Sequence, residues 1–136
     1  MIRNIVSSRI FLMRPSKKAT PYDAPLGKDL LETLSAHRPE CLGMAANMIG
    51  VSKRIIAFVD KGVPTLMYNP QILERYEEYQ TTESCLSLPM ETEVTRYKRI
   101  KVKFQDESFK WHERMYEGLT AEIIQHEVDH CEGILV

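Results

Sequence analysis

The 136-residue sequence has no long apolar run, no excess of one charge and no cysteine set suited to pairing. No segment approaches the roughly 20 apolar residues that cross a bilayer, and the N-terminus lacks a signal-peptide pattern. The 18 basic and 19 acidic residues give a net charge of -1, so charge provides no reason to expect nucleic acid or an anionic membrane as a partner. The cysteines, at positions 41, 85 and 131, are odd in number and far apart. Together with the missing export signal they indicate free thiols and a cytoplasmic protein.

What is present fits an ordinary globular protein. Hydrophobic residues make up 43% of the chain and charged residues 27%. This length suits one domain with a modest core, and we expect residues 1–136 to form that domain.

The first half of the chain predicts one helix and several strands. Residues 10–13 fit a short strand or an arm over the body, since the prolines at 15, 21 and 25 prevent a long helix. Leucines at helical spacing predict a helix over residues 28–37. Residues 54–60 and 65–70 predict two strands with a turn at Lys61-Gly62, the second ending at Asn69-Pro70.

The next segments favour further strands. Residues 71–82 fit an amphipathic helix or a strand, and aromatic residues after a proline favour the strand. Within residues 91–106, Ile100, Val102 and Phe104 alternate with basic residues, which predicts a strand with one solvated face. The acidic residues at 74, 77 and 78 are placed to balance that basic face across the sheet.

A helix predicted over residues 119–132 carries the clearest chemical signal. Its sequence Gln-His-Glu-Val-Asp-His, residues 125–130, contains the His-Glu-x-x-His pattern. Two histidines four apart leave the same helix face, so His126 and His130 can hold one divalent ion. Glu127 lies between them, where it can handle a water bound to that ion. The broad apolar arc of the helix predicts a central place against the sheet.

Two histidines leave such a site one ligand short, because catalytic zinc-type centres usually have three protein ligands. No side chain after Glu132 can coordinate a metal, so the third ligand must come from upstream. Cys85 is favoured because it lies in a polar turn, residues 83–89, between two predicted strands. Cys131 points about 100° away from His130 on the helix. Cys41 stays open, since spacing alone does not exclude it.

Three segments, in this order, resemble the motifs of the peptide deformylase family. They are residues 43–50 (GMAANMIG), residues 83–87 (ESCLS) and residues 125–130 (QHEVDH). The resemblance implies an α+β fold in which antiparallel sheets surround a central C-terminal helix. It also implies a metal-dependent hydrolase that removes the N-formyl group from nascent bacterial polypeptides.

The resemblance further implies roles for individual residues. The metal ligands would be Cys85, His126 and His130, Glu127 the general acid and base, and the Leu86 backbone N–H an oxyanion donor. The implied substrate contacts are Gly43, Met44, Ala45, Met48 and Arg96. The implied metal is ferrous iron, with zinc or nickel able to occupy the site. The implied partners are N-formylated nascent peptides near the ribosome, without direct nucleic-acid binding and without a membrane.

The sequence departs from the family pattern in the first two motifs. Met48 replaces a glutamine that donates a hydrogen bond, and a thioether cannot donate. Losing one oxyanion donor typically costs about 10²–10³-fold in rate. Asn47 is adjacent, but its side chain would have to be re-aimed. Cys41 and Ser84 stand where the family has glycine. Three hypotheses follow: a deformylase, a hydrolase of another formyl or acyl amide, and a metal-binding relative without turnover.

Overall fold

A computed structural model describes residues 1–136. Its core element is one five-stranded antiparallel sheet in which each strand pairs with the next along the chain. The strands are β1 (Gly43–Ala45), β2 (Ile55–Asp60), β3 (Val63–Cys85), β4 (Leu88–Gln105) and β5 (Trp111–Glu117). The helices are α1 (Arg9–Leu12), α2 (Ala24–Ala36) and α3 (Gly118–Cys131), with 3₁₀ turns at Pro21–Asp23 and Ala46–Ile49.

The N-terminal region differs from its prediction in two respects. Residues 10–13 belong to a single helical turn, α1, not to a strand or arm, and Ser8 caps it by accepting a bond from the Phe11 N–H at 3.3 Å. The helix predicted to start at residue 28 starts at Ala24. Pro25 lies in its first turn, where a missing N–H costs nothing, so this proline begins the helix and does not prevent it.

β3 continues through the point at which the sequence predicted an end. Asn69 and Pro70 lie inside the strand, beside a shift in its pairing with β4. Asn69 has a left-handed backbone, with φ of 53°, and its side chain bonds to both backbone groups of Ala19. The result is a bulge in a continuous strand. Residues 71–82 are strand, as predicted, whereas β5 was not predicted.

Charge balance across the solvated face of the sheet is confirmed in part. Lys101 lies 3.6 Å from Glu74 and Arg99 lies 3.4 Å from Glu77, each pair joining β4 to β3. Glu78 makes no such pair. The partners are about half exposed, so each pair contributes at most about 1 kcal/mol.

α3 lies centrally, as its apolar arc predicted, and contacts all five strands. Ile124, Val128 and Cys131 are buried in a core shared with β2, β3 and β4. Gln125 is buried as well, because its amide bonds to the backbone N–H and C=O of Tyr97 on β4. The α+β fold with antiparallel strands against a C-terminal helix is thereby confirmed. None of the helices has the length and hydrophobicity of a membrane-spanning segment.

Candidate active site

One face of α3 forms a wall of a cavity of about 500 Å³. The residues of that face recur every three or four positions, as a helix requires. They are Leu119, Glu122, Ile123, His126 and Glu127. The opposite walls come from the segment at β1 and from the end of β3, so three parts of the sequence meet at one opening.

The end of β3 brings a thiol to the two histidines. The Sγ atom of Cys85 lies 3.3 Å from Nε2 of His130. Side-chain atoms of Cys85, His126 and His130 all lie within 4.8 Å of one another and could hold one metal ion. Cys41 lines the cavity but does not belong to this group, and Cys131 lies in the core behind α3. The geometry therefore favours Cys85 among the three cysteines considered as the third ligand.

Glu83, two residues before Cys85 on β3, orients the first histidine. Its Oε1 atom lies 2.7 Å from Nδ1 of His126, so Nε2 is the ring nitrogen that Glu83 does not occupy. Arg96 donates two hydrogen bonds to the Glu83 carboxylate, at 2.7 and 3.0 Å, and a third to Asp129 at 2.8 Å. Burial opposes ionisation, but the bonds from His126 and Arg96 lower the pKa of Glu83 to about 2.

Glu127 lies between the two histidines in the sequence, and its side chain is buried. Its Oε1 atom has no hydrogen-bond partner in the protein. Burial raises the pKa of this carboxyl to about 7, against the lowering effect of charge on His126. Gly43 of β1 passes so close that a Cβ there would lie 2.9 Å from Glu127 Oε2 and 2.5 Å from Ile123 Cγ2. Only glycine fits this approach of strand to helix.

Comparison with known proteins accounts for this arrangement. The sequence model of the polypeptide deformylase family matches residues 6–136. The chain belongs to the polypeptide deformylase family. It is 44% identical to a peptide deformylase of Clostridium beijerinckii over the full length of both chains. It is therefore a hydrolase that removes the N-formyl group from nascent polypeptides, in a family that depends on a metal.

Solved structures of the family share the fold. A peptide deformylase from Thermotoga maritima superposes with a TM-score of 0.88 at 35% identity, covering 99% of this chain and 94% of that one. A Met-Ala-Ser-bound class I type b deformylase from Acinetobacter baumannii gives 0.89 at 26% identity, covering 99% and 97%.

The donor set suits the metal dependence of the family. The thiol of Cys85 and the imidazoles of His126 and His130 would supply three protein ligands, the number typical of a catalytic centre that keeps a position for water or substrate. Cys85 and His126 also line the cavity. The histidines also differ in their readiness to lose a proton. Burial and the charge of His126 lower the pKa of His130 to about 3. Burial lowers that of His126 too, but bonds to Cys85 and Glu83 and the charge of Glu127 raise it to about 10. A metal at Nε2 of His126 would replace that proton.

The substrate contacts implied by the resemblance occupy different places. Gly43 and Met48 line the cavity, whereas the side chains of Met44 and Ala45 are buried outside it. Arg96 does not line the cavity, because its guanidinium is bound to Glu83 and Asp129. Its predicted contact with the substrate stays a prediction.

The oxyanion side of the site is less complete than the metal side. Leu86 lines the cavity, and its backbone N–H has no acceptor within the protein. Met48 faces the same cavity, and its sulfur accepts a bond from the Ala45 N–H at 3.4 Å. Asn47 does not replace the missing glutamine, since its amide points to the His130 carbonyl.

Sequence reasoning missed Glu83 and Asn47 as parts of the site. The position of Glu83 on the same strand face as Cys85, two residues away, was the available signal for the first. Nothing in the sequence indicated the contact that Asn47 makes.

Proposed function

We propose that Cys85, His126 and His130 hold one divalent metal ion through Sγ and the two Nε2 atoms, and that Glu127 is the general acid and base. One observation carries the proposal: the three donor atoms converge beside a buried carboxyl with an unpartnered oxygen. Two of the three donors, on Cys85 and His126, line the same cavity as that carboxyl. When bound, the ion supplies Lewis acidity and lowers the pKa of a water at the open position.

Glu127 performs the proton transfers. A carboxyl with a pKa near 7 is well matched to accepting a proton near neutral pH and giving it back. Glu127 accepts a proton from the attacking water as oxygen bonds to the formyl carbon. It then delivers that proton to the peptide nitrogen as the C–N bond breaks, leaving formate and a free amine. The Leu86 N–H donates to the formyl oxygen, where negative charge develops.

The rest of the cavity positions the formylated chain. Its apolar residues suit a methionine side chain; they include Leu42, Met48, Leu86, Leu119 and Ile123. β1 is an edge strand, so Gly43, Met44 and Ala45 leave backbone groups to which an extended peptide can add as a further strand. We assign Arg96 to holding Glu83 in place, an indirect role in which it need not touch the substrate.

We also propose ferrous iron as the native metal, with zinc or nickel able to bind. Ligand softness alone favours zinc for one thiolate and two imidazoles, so metal analysis must decide. Residues 1–136 are proposed to act as one domain. Its place of action is proposed to be the bacterial cytoplasm near the ribosome, where formylated chains emerge.

The test is formate release from formyl-Met-Ala-Ser by iron-loaded protein prepared without air, with metal analysis on the same sample. The native protein should release formate, and Glu127→Ala should lose nearly all activity while keeping its metal. Glu107→Ala serves as the matched control, because Glu107 is exposed and lies outside the cavity. Activity in Glu127→Ala equal to that of the native protein would contradict the assigned role.

A second substrate class follows from Met48. With no glutamine in the cavity wall, the pocket is reshaped, and small formylated amines belong in the same assay. Faster turnover of a non-peptide formamide would favour hydrolysis of another amide, and metal binding without any turnover would favour a non-catalytic relative.

A further inference from the structure

A buried asparagine joins the first motif to the end of α3. Asn47 lies in the 3₁₀ turn Ala46–Ile49 and is fully buried. Its Nδ2 atom donates a hydrogen bond of 2.9 Å to the backbone carbonyl of His130, 83 residues away. The Gly133 N–H donates to the same oxygen at 3.1 Å from within the helix terminus. Asn47 is therefore the contact that holds this carbonyl from another part of the chain.

The two histidines are held in different ways. The ring of His126 is oriented by Glu83, which binds Nδ1 at 2.7 Å. The ring of His130 has no such support, because its Nδ1 atom is buried and has no hydrogen-bond partner in the protein. Outer partners of metal ligands normally fix their orientation. For His130, the nearest equivalent is the bond to its own backbone.

We propose that Asn47 is a positioning residue that fixes His130 through its carbonyl and so sets the geometry of the metal site. The inference rests on the proposed role of His130 as a ligand. Asn47 directly precedes Met48, so the same bond also fixes the cavity wall relative to the helix. The side-chain amide of Asn47 therefore connects His130 to the cavity wall at Met48.

The structure provides a matched control at Asn69. This second buried asparagine also bonds to backbone, accepting from the Ala19 N–H at 2.7 Å and donating to the Ala19 carbonyl at 3.0 Å. It does not line the cavity. Replacing Asn69 should therefore lower stability without touching the metal site.

The experiment compares cobalt-loaded native protein with Asn47→Leu, Asn47→Asp and Asn69→Ala. Leucine has a similar size and no donor, and aspartate has the same shape with only acceptors when ionised. The readouts are the cobalt–thiolate and d–d absorption bands, the cobalt Kd by competition with a chelator, and the Tm. Both Asn47 variants should shift the d–d bands and weaken cobalt binding about 10–100-fold, the usual effect of losing an outer partner. Asn69→Ala should lower the Tm and keep the native spectrum and Kd.

A native spectrum and Kd in Asn47→Leu, with only a lower Tm, would overturn the inference and leave Asn47 a purely structural residue. If Asn47→Leu does not fold, Asn47→Ser provides a milder change that must shift the bands in the same direction. Formate release by the native protein is measured in parallel with iron. Its absence would contradict the proposed function, whereas the cobalt readouts judge Asn47 independently of turnover.

Discussion

The buried carboxyl of Glu127 should make the metal-free protein less stable as the pH rises. Its pKa is raised from an ordinary value of 4.5 to about 7, chiefly by burial. The folded state therefore binds the proton more tightly than the unfolded state does. The stability that this tighter proton binding contributes is fully present below pH 4.5 and is lost as the pH rises through about 7. Between pH 5 and pH 8 the loss amounts to about 2.5 kcal/mol.

Glu127→Gln removes this ionisation and keeps the shape of the side chain. The free energy of unfolding of metal-free native protein and variant is measured in urea at pH 5 and pH 8. Relative to the native protein, the free energy of unfolding of the variant should be about 2.5 kcal/mol higher at pH 8 than it is at pH 5. Glu107→Gln, at an exposed position, should follow the native protein at both pH values. Zinc loading should reduce the advantage of the variant, because a nearby cation stabilises the carboxylate.

His126 titrates in the same experiment and must be separated. Its raised pKa, about 10, also makes stability fall with pH, starting above its unfolded value of about 6.5. The part of its contribution that comes from Glu83 and Cys85 is common to both proteins and cancels in their difference. The attraction between His126 and Glu127 does not cancel, but it is already contained in the Glu127 pKa of about 7. A difference between Glu127→Gln and the native protein that stays constant from pH 5 to pH 8 would refute the reasoning.

The remaining predictions concern three neighbours of the metal site. Gly43→Ala should lower kcat/KM for formyl-Met-Ala-Ser at least tenfold while metal content is kept, because the added Cβ collides with Glu127 and Ile123; native activity would show that β1 can move. Met48→Gln should raise kcat by up to about 10²-fold by restoring a donor, and an unchanged kcat would mean that another group already serves. Glu83→Gln should weaken zinc binding about 10–100-fold in a chelator titration and destabilise by about 3–5 kcal/mol in urea, since it breaks a buried ion pair. An unchanged zinc affinity in this variant would show that Glu83 is not needed to orient His126.

Elements with strong periodicity were predictable from the sequence, and elements set by tertiary contacts were not. α3 was predicted because its apolar and polar residues repeat every three to four positions. The end assigned to β3 at Asn69-Pro70 was wrong, because the bonds from Asn69 to Ala19 join segments 50 residues apart and hold a bulge that local propensity does not reveal. The start of α2 was missed because Pro25 was taken as a breaker, although a first-turn proline favours a helix.

The residues of the site were likewise predictable where spacing along the sequence identifies them and unpredictable where tertiary contacts bring them together. His126 and His130 could be paired from spacing alone, but spacing left both Cys41 and Cys85 open as the third ligand. The folded path of β3 brings the thiol of Cys85 to His130 on the helix, and spacing in the sequence does not reveal that path. The contact between Asn47 and the His130 carbonyl joins residues with no sequence pattern in common, so it could be found only in three dimensions.

Glu83 and Cys85 lie two residues apart on β3, and this spacing limits the insertions and deletions that the strand can tolerate. Side chains alternate along a strand, so losing one residue just before Glu83 would turn both the carboxylate and the thiol away from α3 together. Shifts in the pairing of β3 with β4 lie near Tyr68 and Ile72 and between Ser84 and Cys85, so the register of this segment depends on all three. Insertions and deletions in relatives with the same metal site should therefore avoid residues 74–85.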